Sequence, residues 1–322
     1  MNRLRQLAGA SLLYWLALTV GAAAPGWAAG ESGATSVGEP TSETLAATAE
    51  SLAEVSNKNR SEVAALFARA NDALAQRDYG AAEQAFRRAA ESGYAPAQSA
   101  LAGLYLSGKN GAAKPEAALK WYRRAVEQGD AEGQTGLGLM YARGQEVERD
   151  DELAARLLYQ AAEQGNPLAQ SSLGMLYRLG RGVEGDASIA AEWFRLAAIQ
   201  GEIGAQNEIA AAFRDGQGVE ADAQEAAWWY RQAAEKGDSE AQANLGVMYR
   251  QGLGVHQDEN EAVHWFRQAA ERGNALAQYQ LGISYSEGLG LEVDPEEGRK
   301  WLEAAASQGQ HEAQEYLRSG VR

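Results

Sequence analysis

Seven glycines, Gly93, Gly129, Gly165, Gly201, Gly237, Gly273 and Gly309, stand at one unbroken interval of 36 residues. A period in that range marks a supersecondary unit that cannot bury its apolar face alone and gains a continuous core only by stacking on its neighbours. The chain is therefore expected to form a stacked solenoid, an architecture that offers a long surface for binding.

Other columns keep the same register. Tyr105, Tyr141, Tyr177, Phe213, Tyr249 and Tyr285 form one aromatic column, and Trp121, Leu157, Trp193, Trp229, Trp265 and Trp301 form a second. Tyr122, Leu158, Phe194, Tyr230, Phe266 and Leu302 follow the latter immediately. Ala125, Ala161, Ala197, Ala233, Ala269 and Ala305 come one helical turn after the tryptophan column, where a small side chain lets two backbones approach. Within a unit the spacing is helical: Ala241, Leu245 and Tyr249 recur at i, i+4 and i+8, and Ala262, Phe266, Ala269 and Ala270 mark turns of a second segment. Each unit is read as two helices, and the fold class as all-α.

Helix boundaries are written into the period. Asp222 with Glu225, Asp258 with Glu261, and Asp294 with Pro295 and Glu297 read as capping boxes that open the second helix. The column from Gly93 to Gly309 supplies a left-handed residue that ends it, and Asp130, Asn166, Asp238 and Asn274 then cap the next first helix.

The unit carrying Ala241, Leu245, Gly246, Tyr249, Gly252, Gly254, Asp258, Ala262, Trp265, Phe266, Ala269, Ala270 and Gly273 resembles the Sel-one-like repeat (SLR), a relative of the tetratricopeptide repeat. The resemblance covers six units over residues 94–309. It departs at Asn110 and Glu146, which replace the second loop glycine, and at Leu157, which replaces a tryptophan. The resemblance implies a right-handed α-solenoid that acts as an adaptor, with no catalytic residues and no cofactor. Cysteine-rich relatives of this repeat class are associated with β-lactam hydrolysis, but this chain has no cysteine.

The ends differ from the array. Arg3 and Arg5 precede an apolar stretch from Leu7 to Val20 and a small-residue region ending at Ala28, so residues 1–28 read as a cleaved secretory signal peptide. An uncleaved anchor is the alternative. Zero cysteines suits export without oxidative folding, and the expected location is periplasmic or secreted in a bacterium. Residues 29–60, rich in small and polar residues, read as a flexible tether. Residues 61–93 resemble a tetratricopeptide hairpin and are expected to cap the stack, with residues 310–322 as the closing half unit. Removing residues 1–28 takes away two arginines and no acid, moving the net charge from −15 to −17. Such a surface disfavours nucleic acid and acidic membranes.

Apparent catalytic signals fail on context. Gly180-Arg-Gly182-Val-Glu-Gly185 has the spacing of a dinucleotide fingerprint, but it follows a helix and recurs in other units as an interhelical turn. His256, His264 and His311 lack convergent partners for a metal. The remaining candidates lie in columns that vary. Arg178, Arg214 and Arg250 follow the aromatic column in three successive units, either as a basic strip for a partner's carboxylates or as ion-pair partners of nearby Glu or Asp in the neighbouring unit. Trp228 replaces Lys120, Arg156, Glu192, His264 and Lys300 of its column, and Tyr279 replaces Ser99, Thr135, Ser171, Asn207 and Ala243. Trp228 is a candidate partner contact, with packing against the neighbours of Trp229 as the alternative, and Tyr279 is a candidate to project from the first helix. The ladder Gln98, Gln134, Gln170, Gln206, Gln242, Gln278 and Gln314 reads as hydrogen bonding between hairpins, with an amide track for a peptide backbone as the alternative.

The expected function is a non-catalytic periplasmic adaptor that binds a protein or peptide on the concave face, regulating an envelope signalling, cell-wall or polysaccharide complex. A glycan or peptidoglycan binder is the alternative, and an envelope hydrolase a more remote one.

Overall fold

The computed structural model describes residues 61–319, so the expected signal peptide and tether, residues 1–60, lie outside the described residues, as do residues 320–322. Among the described residues there are fifteen helices and no strand. A hairpin of helices 61–75 and Tyr79–Glu91 precedes six units. Each unit pairs a first helix with a second: Ala95–Ser107 with Pro115–Glu127, Ala131–Arg143 with Asp151–Glu163, and Pro167–Leu179 with Ala187–Ile199. Ile203–Asp215 then pairs with Ala223–Glu235, Ser239–Gln251 with Glu259–Glu271, and Ala275–Glu287 with Pro295–Ser307, before a terminal helix His311–Ser319. Consecutive helices pack throughout, giving the stacked solenoid of helical hairpins that the period predicts. First helices also meet directly at three of the five unit boundaries, as Ala95–Ser107 does with Ala131–Arg143, whereas second helices do not meet to that extent at any. The first-helix side is therefore the inner side of the stack. None of the described helices is long and apolar enough to cross a membrane.

The period sets the boundaries through backbone geometry. All seven columnar glycines have positive φ, from 76° at Gly129 to 90° at Gly201. At Gly129 the N–H bonds the Val126 carbonyl at 2.9 Å while the Asp130 N–H reaches back to Ala125 at 3.1 Å, a Schellman closure of the second helix. Asp130, Asn166, Asp238 and Asn274 then cap the following helix with their side chains, and so does Glu202, which propensity alone does not suggest. The capping boxes form only by half. Asp222, Asp258 and Asp294 accept from the first-turn N–H groups as expected, but their own N–H groups donate to the carbonyls of Phe213, Tyr249 and Tyr285 at 2.8, 3.0 and 2.8 Å. Closing the loop onto the first helix thus uses the donor that the glutamate of a full box would have satisfied.

Side-chain size fixes the packing inside each unit. The Ala125 column is fully buried at every level. Gly174, Gly246 and Gly282 of the first helices face Phe194, Phe266 and Leu302, where an added Cβ would come within 2.9, 2.6 and 2.7 Å of the opposing side chain. The large residues of the second helix therefore fit into gaps on the first.

Units are held to each other by the glutamine ladder. Gln206 Nε2 donates to the Ala198 carbonyl of the preceding second helix at 3.1 Å, and Gln242 and Gln278 do the same to Ala234 and Ala270 at 3.0 and 3.2 Å. The amide oxygens accept from the end of their own unit's second helix: Gln128 to Gln98 at 2.9 Å, Gln164 to Gln134 at 2.7 Å, Gln200 to Gln170 at 2.8 Å and Gln308 to Gln278 at 2.7 Å. Lys236 takes that donor role toward Gln206 at 3.2 Å. Among the buried glutamines of the ladder only Gln242 Oε1 lacks a partner, because Arg272 stands at the donor position and turns to the Gln268 carbonyl. From Gln98 to Gln278 these side chains are buried, so no amide track is open to a peptide.

A second contact seats each loop on the unit before it. A Cβ at Gly218 would lie 2.0 Å from the Ala187 carbonyl oxygen, and one at Gly254 1.9 Å from that of Ala223. Glu146 holds the same left-handed conformation, at φ 58°, and beside it a hollow of about 900 Å³ opens, lined by Arg123, Tyr141, Arg149 and Leu153 among others. Asn110 does not take the conformation; a positive φ comes one residue later at Gly111, at 107°, where the loop makes no such close approach.

Replacing Gly254 by alanine combines a positive φ of 67° with backbone overlap, whereas Gly273, at φ 87°, has open space around its Cα. Gly273→Ala should cost about 1–2 kcal/mol, and Gly254→Ala at least about 2 kcal/mol more as the loop is forced off its seat. Urea unfolding followed by helical circular dichroism measures the difference.

Candidate functional site

The arginine column lies in the last turn of three first helices, and each guanidinium reaches 30 residues onward to the next unit. Arg178 pairs with Glu208 at 3.3 Å, Arg214 meets Asn244 at 3.4 Å, and Arg250 donates to Gln280 Oε1 at 2.7 Å. Each also has further partners. Arg214 forms a bidentate pair with Asp215, both contacts 2.8 Å, and bonds the Tyr230 hydroxyl at 3.2 Å. Burial pushes that hydroxyl up to about 12. Arg250 pairs with Glu259 at 3.0 Å, bonds Ser284 Oγ at 2.6 Å and lies over the Phe266 ring at 4.8 Å. All three positive charges are matched by carboxylates from the chain itself, so the column acts as a staple between units.

Tyr279 is half-buried and packs with Ile283, Tyr316 and Leu317 on the core formed by Leu302, Ala305 and Ala313. Its ring covers the junction with the terminal helix. Burial raises its hydroxyl pKa first, with Glu312 adding to the shift.

Trp228 is placed differently. It lies on a second helix, away from the arginine column, half exposed and edge-on to Trp229 with ring centroids 4.5 Å apart. On the preceding second helix stand two exposed residues that were not singled out from the sequence, Ile199, which shares a hollow with Trp228, and Leu196. Ile199 replaces the glutamate of Glu127, Glu163, Glu235 and Glu271, and Leu196 replaces Arg124, Gln160, Gln232 and Gln268. The column comparison that exposes Trp228 exposes these as well. The candidates thus fall into a stapling column on the first helices, a capping ring near the C-terminus and an apolar patch on the second helices. The structure does not bring them together.

Polar clusters elsewhere serve packing. Asp151 takes Arg149 at 2.6 Å and, from the next unit, Arg181 at 2.7 Å, while Arg181 also bonds the Ala142 carbonyl at 2.7 Å. Arg149 first and Arg181 second hold the Asp151 carboxyl well below the usual carboxylate range. His264 meets Gln268 and the Trp265 ring, and His311 pairs with Glu315 at 3.1 Å. Among the described residues, no three histidine or acidic side chains are grouped to hold a metal ion.

Comparison with known proteins places these features in context. The Sel1 repeat model matches six consecutive segments, residues 95–130, 131–166, 167–202, 203–238, 239–274 and 275–310. The chain is similar to the crystal structure of a protective antigen present in uropathogenic Escherichia coli strains displaying an SLR fold, at 35% identity and a TM-score of 0.70. That alignment covers 83% of this chain and 58% of the antigen, so the chain spans little more than half the antigen's length. A Sel1 repeat protein from Oxalobacter formigenes is similar at 33% identity and a TM-score of 0.63, over 74% of this chain and 96% of that one. No curated protein matches the chain significantly.

The Asp151 cluster carries a pH signature. Because the folded-state pKa is depressed, its contribution is complete above the unfolded value of about 4 and is lost as pH falls below it. Asp151→Asn should lower the urea midpoint at pH 7, and its difference from the parent should shrink as pH falls from about 4 toward 2.

Proposed function

The chain belongs to the Sel1 repeat family, and from that premise we propose that it is a non-catalytic scaffold of the bacterial periplasm that binds a protein or peptide partner through its variable columns. Sel1 repeat proteins generally serve as scaffolds for protein–protein interaction and are generally non-catalytic. The observation that carries the reading is Trp228, an indole left half exposed in a column that holds a charged or polar residue in every other unit. The glutamine, glycine, aspartate and aromatic columns are spent on holding the stack. Residues facing solvent in the varying columns are what remain for recognition.

Export supports the periplasmic location. Arg3, Arg5, the apolar stretch from Leu7 to Val20 and the small residues up to Ala28 have the order of a secretory signal, and the absence of cysteine suits an exported chain. A regulatory role in an envelope signalling, cell-wall or polysaccharide complex follows from that location.

The test uses residues 29–322 as bait against a solubilised bacterial envelope extract. The expected outcome is a protein retained by the parent and reduced at least tenfold by Trp228→Ala, with helical content unchanged. Retention on isolated cell wall with no protein captured would replace the protein scaffold with a glycan binder. Turnover of a β-lactam by the purified chain, abolished by one substitution, would replace it with an enzyme.

A further inference from the structure

Three columns turn from polar to apolar at one place in the stack. Trp228 is 50% exposed, Ile199 66% and Leu196 41%, and the corresponding residues of most other units are charged or amide side chains. Ile199 and Trp228 line one hollow of about 440 Å³ together with Phe213, Trp229, Arg195 and Glu225. Leu196 lies one turn before Ile199, extending the apolar face along the helix Ala187–Ile199. The repeat is its own control here. Every unit must satisfy the same stacking geometry, so apolar residues at outward-facing positions that other units fill with polar side chains do not come from the stack.

Charge narrows the occupant. The exposed ionisable side chains on these two helices are Glu192, Glu225 and Glu235 against Arg195; Lys236, the C-cap of the second, is exposed but held on the Gly201 carbonyl and Gln206, and Arg231 is half-buried and bonded to the Tyr249 hydroxyl. The whole chain carries −15. A second copy would bring like charge to this rim, and an anionic bilayer would be repelled by it. A bulky apolar anchor flanked by lysine or arginine satisfies both the hollow and its rim.

We propose that the second-helix face at Ile199, Leu196 and Trp228 is the docking surface for a basic amphipathic helix of a partner protein, which seats an apolar side chain in the hollow and sets its basic flanks against Glu192, Glu225 and Glu235. This deepens the scaffold reading and rests on it. It moves recognition from the inner, first-helix side of the stack to the second helices. The recognition mode is that of a helix whose apolar face enters a groove, with the tryptophan as the central anchor.

The test titrates the purified protein with a fluorescein-labelled helical peptide of leucine on one face and lysine on the other, and with a scrambled peptide of the same composition. The variant Trp228→Lys with Ile199→Glu restores residues that Lys120, Lys300, Glu127, Glu163, Glu235 and Glu271 already carry in their units, so the stack tolerates them. The expected result is binding of the amphipathic peptide at least tenfold tighter than the scrambled one, with the double variant weakening it at least tenfold while its circular dichroism is unchanged. Equal binding of both peptides, equal binding by parent and variant, or no binding of either peptide would overturn the proposal. So would a parent dimer that the variant dissolves, or sedimentation with phosphatidylcholine vesicles that the variant abolishes. If the double variant still captures the envelope protein that the parent captures, a scaffold remains but neither this surface nor Trp228 carries its recognition.

Discussion

A buried amide shared among three helices recurs in four of the six units, at Gln98, Gln170, Gln206 and Gln278. The glutamine side chain donates to the last turn of the preceding second helix and accepts from the last turn of the following one, as Gln170 does with Ala162 and Gln200. Leaving one such group unpaired costs about 1–3 kcal/mol, whereas each satisfied bond contributes only about 1 kcal/mol net. The ladder therefore works as a register device. A hairpin shifted or rotated against its neighbour would strand several buried polar atoms at once, and the apolar columns alone would not forbid that sliding.

The glycines act in concert with the amides. At Gly218 and Gly254 the loop backbone rests on the first carbonyl of the preceding second helix, an approach a side chain prevents. Glu146 marks the exception, with a hollow beside it. With register set by the amides and spacing by the glycines, the arginine column and the Asp151 cluster add ion pairs at the edges of the stack.

Much of this was legible in the sequence because the period repeats each physical requirement. The glycine stops, the aspartate caps and the small-against-large columns all announce themselves by recurrence. What was not legible depends on which positions face each other between units. Nothing in the order of residues shows that Arg178 meets Glu208, or that Arg250 lies over Phe266, until the stacking offset is known. Glu202 was missed as a cap because glutamate seldom caps a helix through its longer side chain. Tyr279 stood out as a candidate in its column, but its packing against Tyr316 and Leu317 of the short terminal helix was not legible there. Trp228 stood out in its own column, and Ile199 and Leu196 stand out in theirs by the same comparison; what the order of residues does not show is that Ile199 and Trp228 share one hollow.

The division between columns that hold the stack and columns left for recognition is tested most directly on the ladder itself. Gln206→Leu removes one amide while keeping an apolar side chain of similar length, and hydrogen exchange read by mass spectrometry reports protection helix by helix. Faster exchange concentrated in Ala187–Ile199 and Ala223–Glu235, with Ala275–Glu287 unchanged, is the predicted result, since a solenoid transmits stability through nearest neighbours. Unchanged protection in both of those helices would contradict the claim that the shared amides hold consecutive hairpins together.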